Sequence, residues 1–190
     1  MKVRALPRRG AALCALLLAA CAAAPQQQPT AEQPPLLPPS SLGVPHQAQQ
    51  ILRFAFGAHE ASLRCVVQAT PQRIEMVALT ALGQRAMTVS WDGHDWEVET
   101  APLVPKEMRP EWLLADLQLA LWPLATLQAA YAPAGWEVSE PGGGVRRLRH
   151  DGKLVAQVAY ADADPWNGRY WISNFRYGYA IAIQPEPQEP

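Results

Sequence analysis

Four histidines, His46, His59, His94 and His150, are the first residues to weigh for chemistry. No two of them stand at metal-ligand spacing and none accompanies a cysteine pair, so the sequence offers no metal centre. Carboxylates recur two apart at Glu97/Glu99 and at Asp162/Asp164. On a strand such pairs face the same way, the arrangement that lets two carboxyls share a proton. Glu97 and Glu99 fit better as the wet face of an alternating strand, and Asp162-Ala163-Asp164-Pro165 as a turn. Cys65 sits in Leu63-Arg64-Cys65-Val66-Val67, a strand-like run, and reads as an inert core thiol; a nucleophile would need a base beside it. No serine occupies a nucleophile elbow. Gly142-Gly143-Gly144 is not followed by Lys-Ser/Thr and a helix, so it is no phosphate loop. The expectation is a protein that is not an enzyme and that carries neither metal nor cofactor.

Two further groups invite binding rather than catalysis. Arg146, Arg147 and Arg149 with Lys153 form a basic cluster, which suits lipid phosphates, an acidic partner or simply a solvated hairpin. The seven tryptophans, Trp91, Trp96, Trp112, Trp122, Trp136, Trp166 and Trp171, are bulky, apolar and polar-tipped. They suit either a filled core or an apolar cavity lined by aromatic rings and open to a greasy ligand.

The N-terminus says where such a ligand would be met. Lys2, Arg4, Arg8 and Arg9 precede an apolar run from Ala11 to Ala20, the layout of a secretory signal. That run is far shorter than the roughly 20 residues a spanning helix needs. Leu18-Ala19-Ala20-Cys21 resembles the lipobox of bacterial lipoproteins. The resemblance implies cleavage before Cys21, a diacylglyceryl group on its thiol and an acylated amino group. Ala22 follows, where lipoproteins kept at the inner membrane usually carry Asp. The expectation is therefore lipid attachment at Cys21 and a place on the periplasmic face of the outer membrane. Removing the four leader cations leaves 12 basic residues against 17 acidic ones, a balance with no broad attraction to nucleic acid. Cys14 would be lost and Cys21 acylated, so Cys65 would have no partner for an intrachain disulfide.

Around these residues the chain divides into a leader (1–20), a lipidated Cys and Pro/Gln-rich stalk (21–45), a domain (46–184) and a tail (185–190). In the stalk, Gln26–Gln28 and Pro25, Pro29, Pro34, Pro35, Pro38 and Pro39 favour extended polyproline geometry. Some 20 residues of it would reach roughly 60 Å. Within the domain, strands are predicted at 50–57, 61–70, 73–82, 84–91 and 96–99, with Asp92-Gly93 as a hairpin turn. The period then changes. Pro110–Trp122 predicts a helix with Pro at its first position and Glu111 at the positive end of its dipole. Its apolar side chains cover nearly the whole circumference, so it must be buried on most sides. Pro123 bends or stops it, and a further turn or two runs to Tyr131. Strand signals return at 136–139, 145–150, 153–161 and 169–183. In the last run Tyr177, Tyr179, Ile181 and Ile183 share one face, and Gly178, Ala180 and Ala182 the other. About nine or ten such strands curl into a barrel or half-barrel. The predicted class is mainly β with a central helix (α+β).

Signal, lipobox, stalk, early β meander, buried apolar helix and late β meander together resemble the LolA/LolB-like carriers. That resemblance implies a curved antiparallel sheet forming an open half-barrel around an apolar helix, with acyl chains held on its concave face. Pro110–Pro123 and Gly178-Tyr-Ala-Ile-Ala-Ile183 also resemble a family of bacterial outer-membrane lipoproteins often encoded among aryl-polyene pigment genes. The implied function is a non-enzymatic carrier or acceptor of a hydrophobic, acylated molecule, either a lipoprotein acyl chain or an aryl-polyene lipid. Its partners would be the membrane, through lipidated Cys21, that ligand, and a periplasmic carrier protein. The expected cavity residues are Trp91, Trp112, Leu113, Leu117, Leu121 and Trp122. Leu103-Val104-Pro105 is the nearest counterpart of the protruding hydrophobic loop by which such carriers meet a membrane. A scaffold lipoprotein of an envelope complex, with the same domain packed solid, is the alternative.

Overall fold

The computed structural model describes residues 33–102, 104 and 109–187. The leader, Cys21, the first part of the stalk, Leu103 and Pro105 of the expected loop, and the last three residues lie outside the described residues.

The alternating first half folds as five strands: β1 (His46–Phe56), β2 (His59–Ala69), β3 (Ile74–Leu79), β4 (Arg85–Trp91) and β5 (Trp96–Thr100). Helices α1 (Pro110–Leu121) and α2 (Leu124–Tyr131) follow, then β6 (Trp136–Gly142), β7 (Val145–His150), β8 (Lys153–Tyr160), β9 (Tyr170–Asn174) and β10 (Tyr179–Pro185). All ten strands form one antiparallel sheet in the order β5-β4-β3-β2-β1-β10-β9-β8-β7-β6. Each half is a meander, and the pairing of β1 with β10 joins first strand to last. Edges β5 and β6 do not pair with each other, so the sheet is not closed.

Register puts one apolar face on the inside of this sheet. Leu52 lies opposite both Leu63 and Ile183, and Phe54 opposite Ala61 and Ile181. Ile74, Met76 and Ala78 extend the same buried face along β3, while Glu75 is exposed. A register shift between β3 and β4 breaks the alternation and leaves Ala86 and Met87 buried in succession.

Helix α1 packs against this face. Residues Leu113 to Leu121 are buried without interruption, which is what apolar groups around the full circumference require. Pro123, at φ −57° and ψ 136°, breaks the helix between α1 and α2. No described helix is long and apolar enough to cross a membrane.

Three expectations change. The run 169–183 is not one strand: Phe175–Gly178 turns the chain, with Gly178 at φ 70° and its N–H donating to the Asn174 carbonyl at 2.9 Å. The domain runs past residue 184, because the Glu186 N–H donates to the Gln49 carbonyl at 2.8 Å and its carboxylate pairs with Arg64. Residues 33–45, assigned above to the stalk, are not free of the domain. Pro39–Leu42 form a 3-10 turn, and Leu37, Pro39 and Leu42 are buried. Apolar side chains spaced through this proline-rich stretch have somewhere to go, and their burial outweighs the extended preference of the prolines.

Candidate functional site

The interior between the sheet and α1 is the chemical centre of the molecule. Leu113 and Leu117 of α1 face Leu52 and Phe54 of β1, Leu63, Cys65 and Val67 of β2, and Ile181 and Ile183 of β10 across a cavity of about 30 Å³. Ligand pockets run from roughly 300 Å³ upward, and 30 Å³ holds about one water. The space is therefore nearly filled, and an acyl chain does not fit there with α1 in this position. Cys65 lines this cavity at 1% exposure, and burial pushes its thiol up to about 12. The thiolate is thus disfavoured, and Cys65 is no nucleophile at neutral pH.

Of the six expected cavity residues, Leu113 and Leu117 line the space and the other four are not among its lining residues. Leu121 is core. Trp91 donates its indole N–H to the Leu37 carbonyl at 3.2 Å and packs on Trp96. Trp122 donates to Ser41 Oγ at 2.8 Å. Trp112 stacks on Tyr177 with ring centroids 3.5 Å apart, and the Arg109 guanidinium lies 5.7 Å above its ring. Val104, the described member of the expected loop, packs against the core. The large apolar side chains exposed on hairpin turns are instead Leu82 (87% exposed, between β3 and β4) and Phe175 (54%, between β9 and β10).

What ties α1 down is polar, and the motif search missed it. Asp116 is buried and accepts hydrogen bonds from the Tyr179 hydroxyl and, at 3.3 Å, from Asn174 Nδ2. Burial pushes its carboxyl up to about 6, and the two hydrogen bonds pull it partly back. The Tyr179 hydroxyl is itself held far above the phenol range by burial and by the Asp116 charge. On another side of the helix, Gln118 makes a two-point clasp with Leu37, in the segment ahead of β1. The Leu37 N–H donates to Gln118 Oε1 at 2.9 Å, and Gln118 Nε2 donates to the Leu37 carbonyl at 2.8 Å.

The C-terminus of α1 has its own partners. The last carbonyls of a helix lack intrahelical donors and carry partial negative charge. Arg146 donates to the Leu119 carbonyl at 2.7 Å and to the Trp122 carbonyl at 2.8 Å, and pairs with Glu140 at 2.7 Å. The Tyr160 hydroxyl donates to the Ala120 carbonyl at 2.7 Å. The basic cluster expected from the sequence is thereby divided. Arg146 is buried as a helix cap, while Arg147 bonds Gln157 and Arg149 bonds the Gly152 carbonyl.

The signal for these residues was present. Asp116 and Gln118 interrupt a helix with no wet face, so both had to be buried and partnered. Sequence alone does not name the partners, which lie 58 and 63 positions away for Asp116 and 81 for Gln118.

The other candidates are dispersed. His46 stacks on Trp166 and His150 on Trp136, while His94 is exposed at the Asp92 turn. Asp162 binds Arg169, and Asp164 caps the turn through the Trp166 N–H and Asn167. Glu97 and Glu99 are exposed on β5. Among the described residues no three His, Cys, Asp or Glu side chains are grouped to hold a metal.

Comparison with known proteins adds the following. A search of curated proteins finds no match. Among solved structures, the chain is similar to a crystal structure described as a "putative outer membrane lipoprotein-sorting protein domain" from Vibrio parahaemolyticus. The TM-score is 0.42 and the identity 7%, over 76% of this chain and 84% of that one. At that identity and score the likeness assigns neither ligand nor activity. The family model described as "protein of unknown function (DUF3261)" matches residues 47–187, nearly the whole folded region, and the chain belongs to that family.

Proposed function

We propose that the chain is an outer-membrane lipoprotein, anchored through Cys21 on the periplasmic face, that carries or accepts an acylated hydrophobic molecule between its sheet and α1. The sheet would act as an open half-barrel and α1 as its lid. One observation carries the reading: a continuous apolar sheet face is covered by a helix that adds to its apolar packing discrete polar bonds at Asp116, Gln118, Leu119, Ala120 and Trp122. Such bonds give the helix one closed position and can be broken one at a time.

The magnitudes are compatible with opening. Burying about ten methylenes of an acyl chain releases ~8 kcal/mol. Hydrogen bonds of this kind contribute roughly 1 kcal/mol each, and those to charged groups about 1.5–3. A ligand thus repays several of these bonds, or one or two leucines of α1 that lose contact with the sheet at about 1.5–3 kcal/mol each, so the shift it supports is a partial one. Leu113 and Leu117 would meet the chain first. Trp91, Trp112, Leu121 and Trp122 would meet it only after the helix shifts. Leu82 and Phe175 would enter the membrane interface while the anchor holds the domain nearby. Lipoprotein acyl chains and aryl-polyene lipids both fit such a site, and a periplasmic carrier protein would supply or receive them.

The second reading, a scaffold lipoprotein, is favoured by the nearly filled interior. One experiment separates the two. Full-length chain with Cys21→Ser, which removes the covalent lipid, is purified and extracted with organic solvent, then titrated with a fluorescent fatty acid. The carrier reading predicts a co-purifying acyl species and saturable binding that Leu117→Trp weakens at least tenfold. Neither an extracted lipid nor saturable binding would leave the scaffold.

A further inference from the structure

The segment joining the expected anchor to the domain grips the helix that covers the apolar interior. Gln118 is fully buried, and both ends of its amide are used on one residue of that segment, Leu37. Trp122, at the C-terminal end of α1, holds Ser41. The same segment is held from the sheet side. The Trp91 indole donates to the Leu37 carbonyl, and Leu37 and Leu42 are buried in the core. The backbone of Gly93 fits under it: a Cβ there would stand 3.2 Å from Pro38 Cβ and 3.3 Å from Pro39 Cδ. Residues 33–45 therefore bridge α1 and β4, and run directly into β1 at His46. The Trp91 bond and the burial of Leu37 and Leu42 hold the segment to the sheet, so it does not follow α1 outward while those contacts last. For α1 to leave the sheet, the bonds from Gln118 and Trp122 must break.

We infer that residues 33–45 are an autoinhibitory strap that keeps α1 shut over the apolar interior and ties access to that interior to the anchored end of the chain. This rests on the carrier reading, in which α1 opens. Gln118 and Trp122 are absent from the cavity lining, so their bonds to the strap act on the lid rather than on the ligand. Leu37 is 16 positions from Cys21.

Cys65 reports the state of the lid without any ligand, because it lines the cavity at 1% exposure. Its alkylation is followed by mass spectrometry of the Cys65 peptide in the full chain, for wild type, Gln118→Leu and Ser41→Ala. Global stability is measured by urea titration so that whole-chain unfolding is subtracted. The strap predicts that alkylation in Gln118→Leu rises about tenfold beyond that correction, the factor expected for a lost pair of modest hydrogen bonds. Ser41→Ala, a change small enough to preserve folding, predicts a rise of about threefold from the lost bond to Trp122; the other bond it removes, from Ser41 Oγ to the Pro38 carbonyl, lies within the strap and does not reach α1. A corrected rate unchanged in both variants overturns the strap, whether or not hydrogen exchange at residues 37–42 increases. A raised Cys65 rate with no fatty acid bound in any variant leaves the strap standing and removes the carrier reading instead.

Discussion

The two polar seams along α1 differ in kind. Towards the β9–β10 hairpin, Asp116 presents an ionisable group to Asn174 and Tyr179. Towards the strap, Gln118 presents a neutral amide to the Leu37 main chain. Both seams satisfy buried polar groups in an otherwise apolar contact, so both give the helix one register and one orientation. Only the first responds to pH. The Asp116 carboxyl is raised from 3.8 to about 6 in the folded chain, so the folded state favours its neutral form. Its contribution to stability is fully present below pH ~4 and is lost as pH rises through ~6. At neutral pH the hairpin seam is therefore the weak one, and the strap seam is unchanged. Rising pH thus loosens the hairpin edge of the lid and leaves the strap as the contact that holds α1 shut.

The largest expected effect strikes the end shared by both seams. Arg146→Ala removes donors from two buried carbonyls and leaves Glu140 without its partner. The expected loss is roughly 3–4 kcal/mol in a urea titration, since charge-assisted bonds contribute about 1.5–3 kcal/mol each. A loss under about 1 kcal/mol would mean that α1 ends without need of this cap, and neither seam would then have a firm end to pivot on.

Next comes the contrast between the seams themselves. Asp116→Asn abolishes the titration, so its stability relative to wild type improves as pH rises from 4 to 7. A shift of about two pKa units corresponds to roughly 3 kcal/mol; part of it is already lost at pH 4, just above the unfolded value, while any cost of the new amide donors is the same at both ends of the window. A net gain of about 2 kcal/mol across that window is expected from thermal or urea unfolding. Gln118→Leu instead costs about the same 1–2 kcal/mol at pH 5 and pH 8. Parallel pH curves for wild type and Asp116→Asn would erase the distinction.

The strands, both helices and the break at Pro123 were legible because each is written in a local period or a local turn. Trp96–Thr100 and Val145–His150 match their alternating runs almost residue for residue. The hairpin at Phe175–Gly178 was hidden, because Tyr177, Tyr179 and Ile181 keep a period of two straight through it. The packed strap was hidden for the opposite reason. Proline at 34, 35, 38 and 39 reads as extended chain, and only long-range partners reveal that Leu37 is the residue that counts. In the site, Leu113 and Leu117 were named with four other residues on the resemblance to the carriers, because a helix apolar on nearly every side gives no one face by its period. Arg146 was not named, since an arginine in an alternating hairpin looks solvated until a helix end is placed against it. Tryptophan count was a poor guide to the cavity: Trp91 and Trp122 serve through their indole N–H groups, as posts for the strap.

The account turns on whether an acyl chain enters the space that Leu113, Leu117 and Cys65 enclose. The direct measurement is the alkylation rate of Cys65 in the full chain as a long-chain fatty acid is titrated in. Entry predicts a saturable fall in the rate, because bound methylenes cover the thiol, and Leu117→Trp should abolish that protection. A rate that stays constant up to the solubility limit of the fatty acid, in a chain whose Cys65 still reacts, would contradict the carrier and leave a solid scaffold in its place.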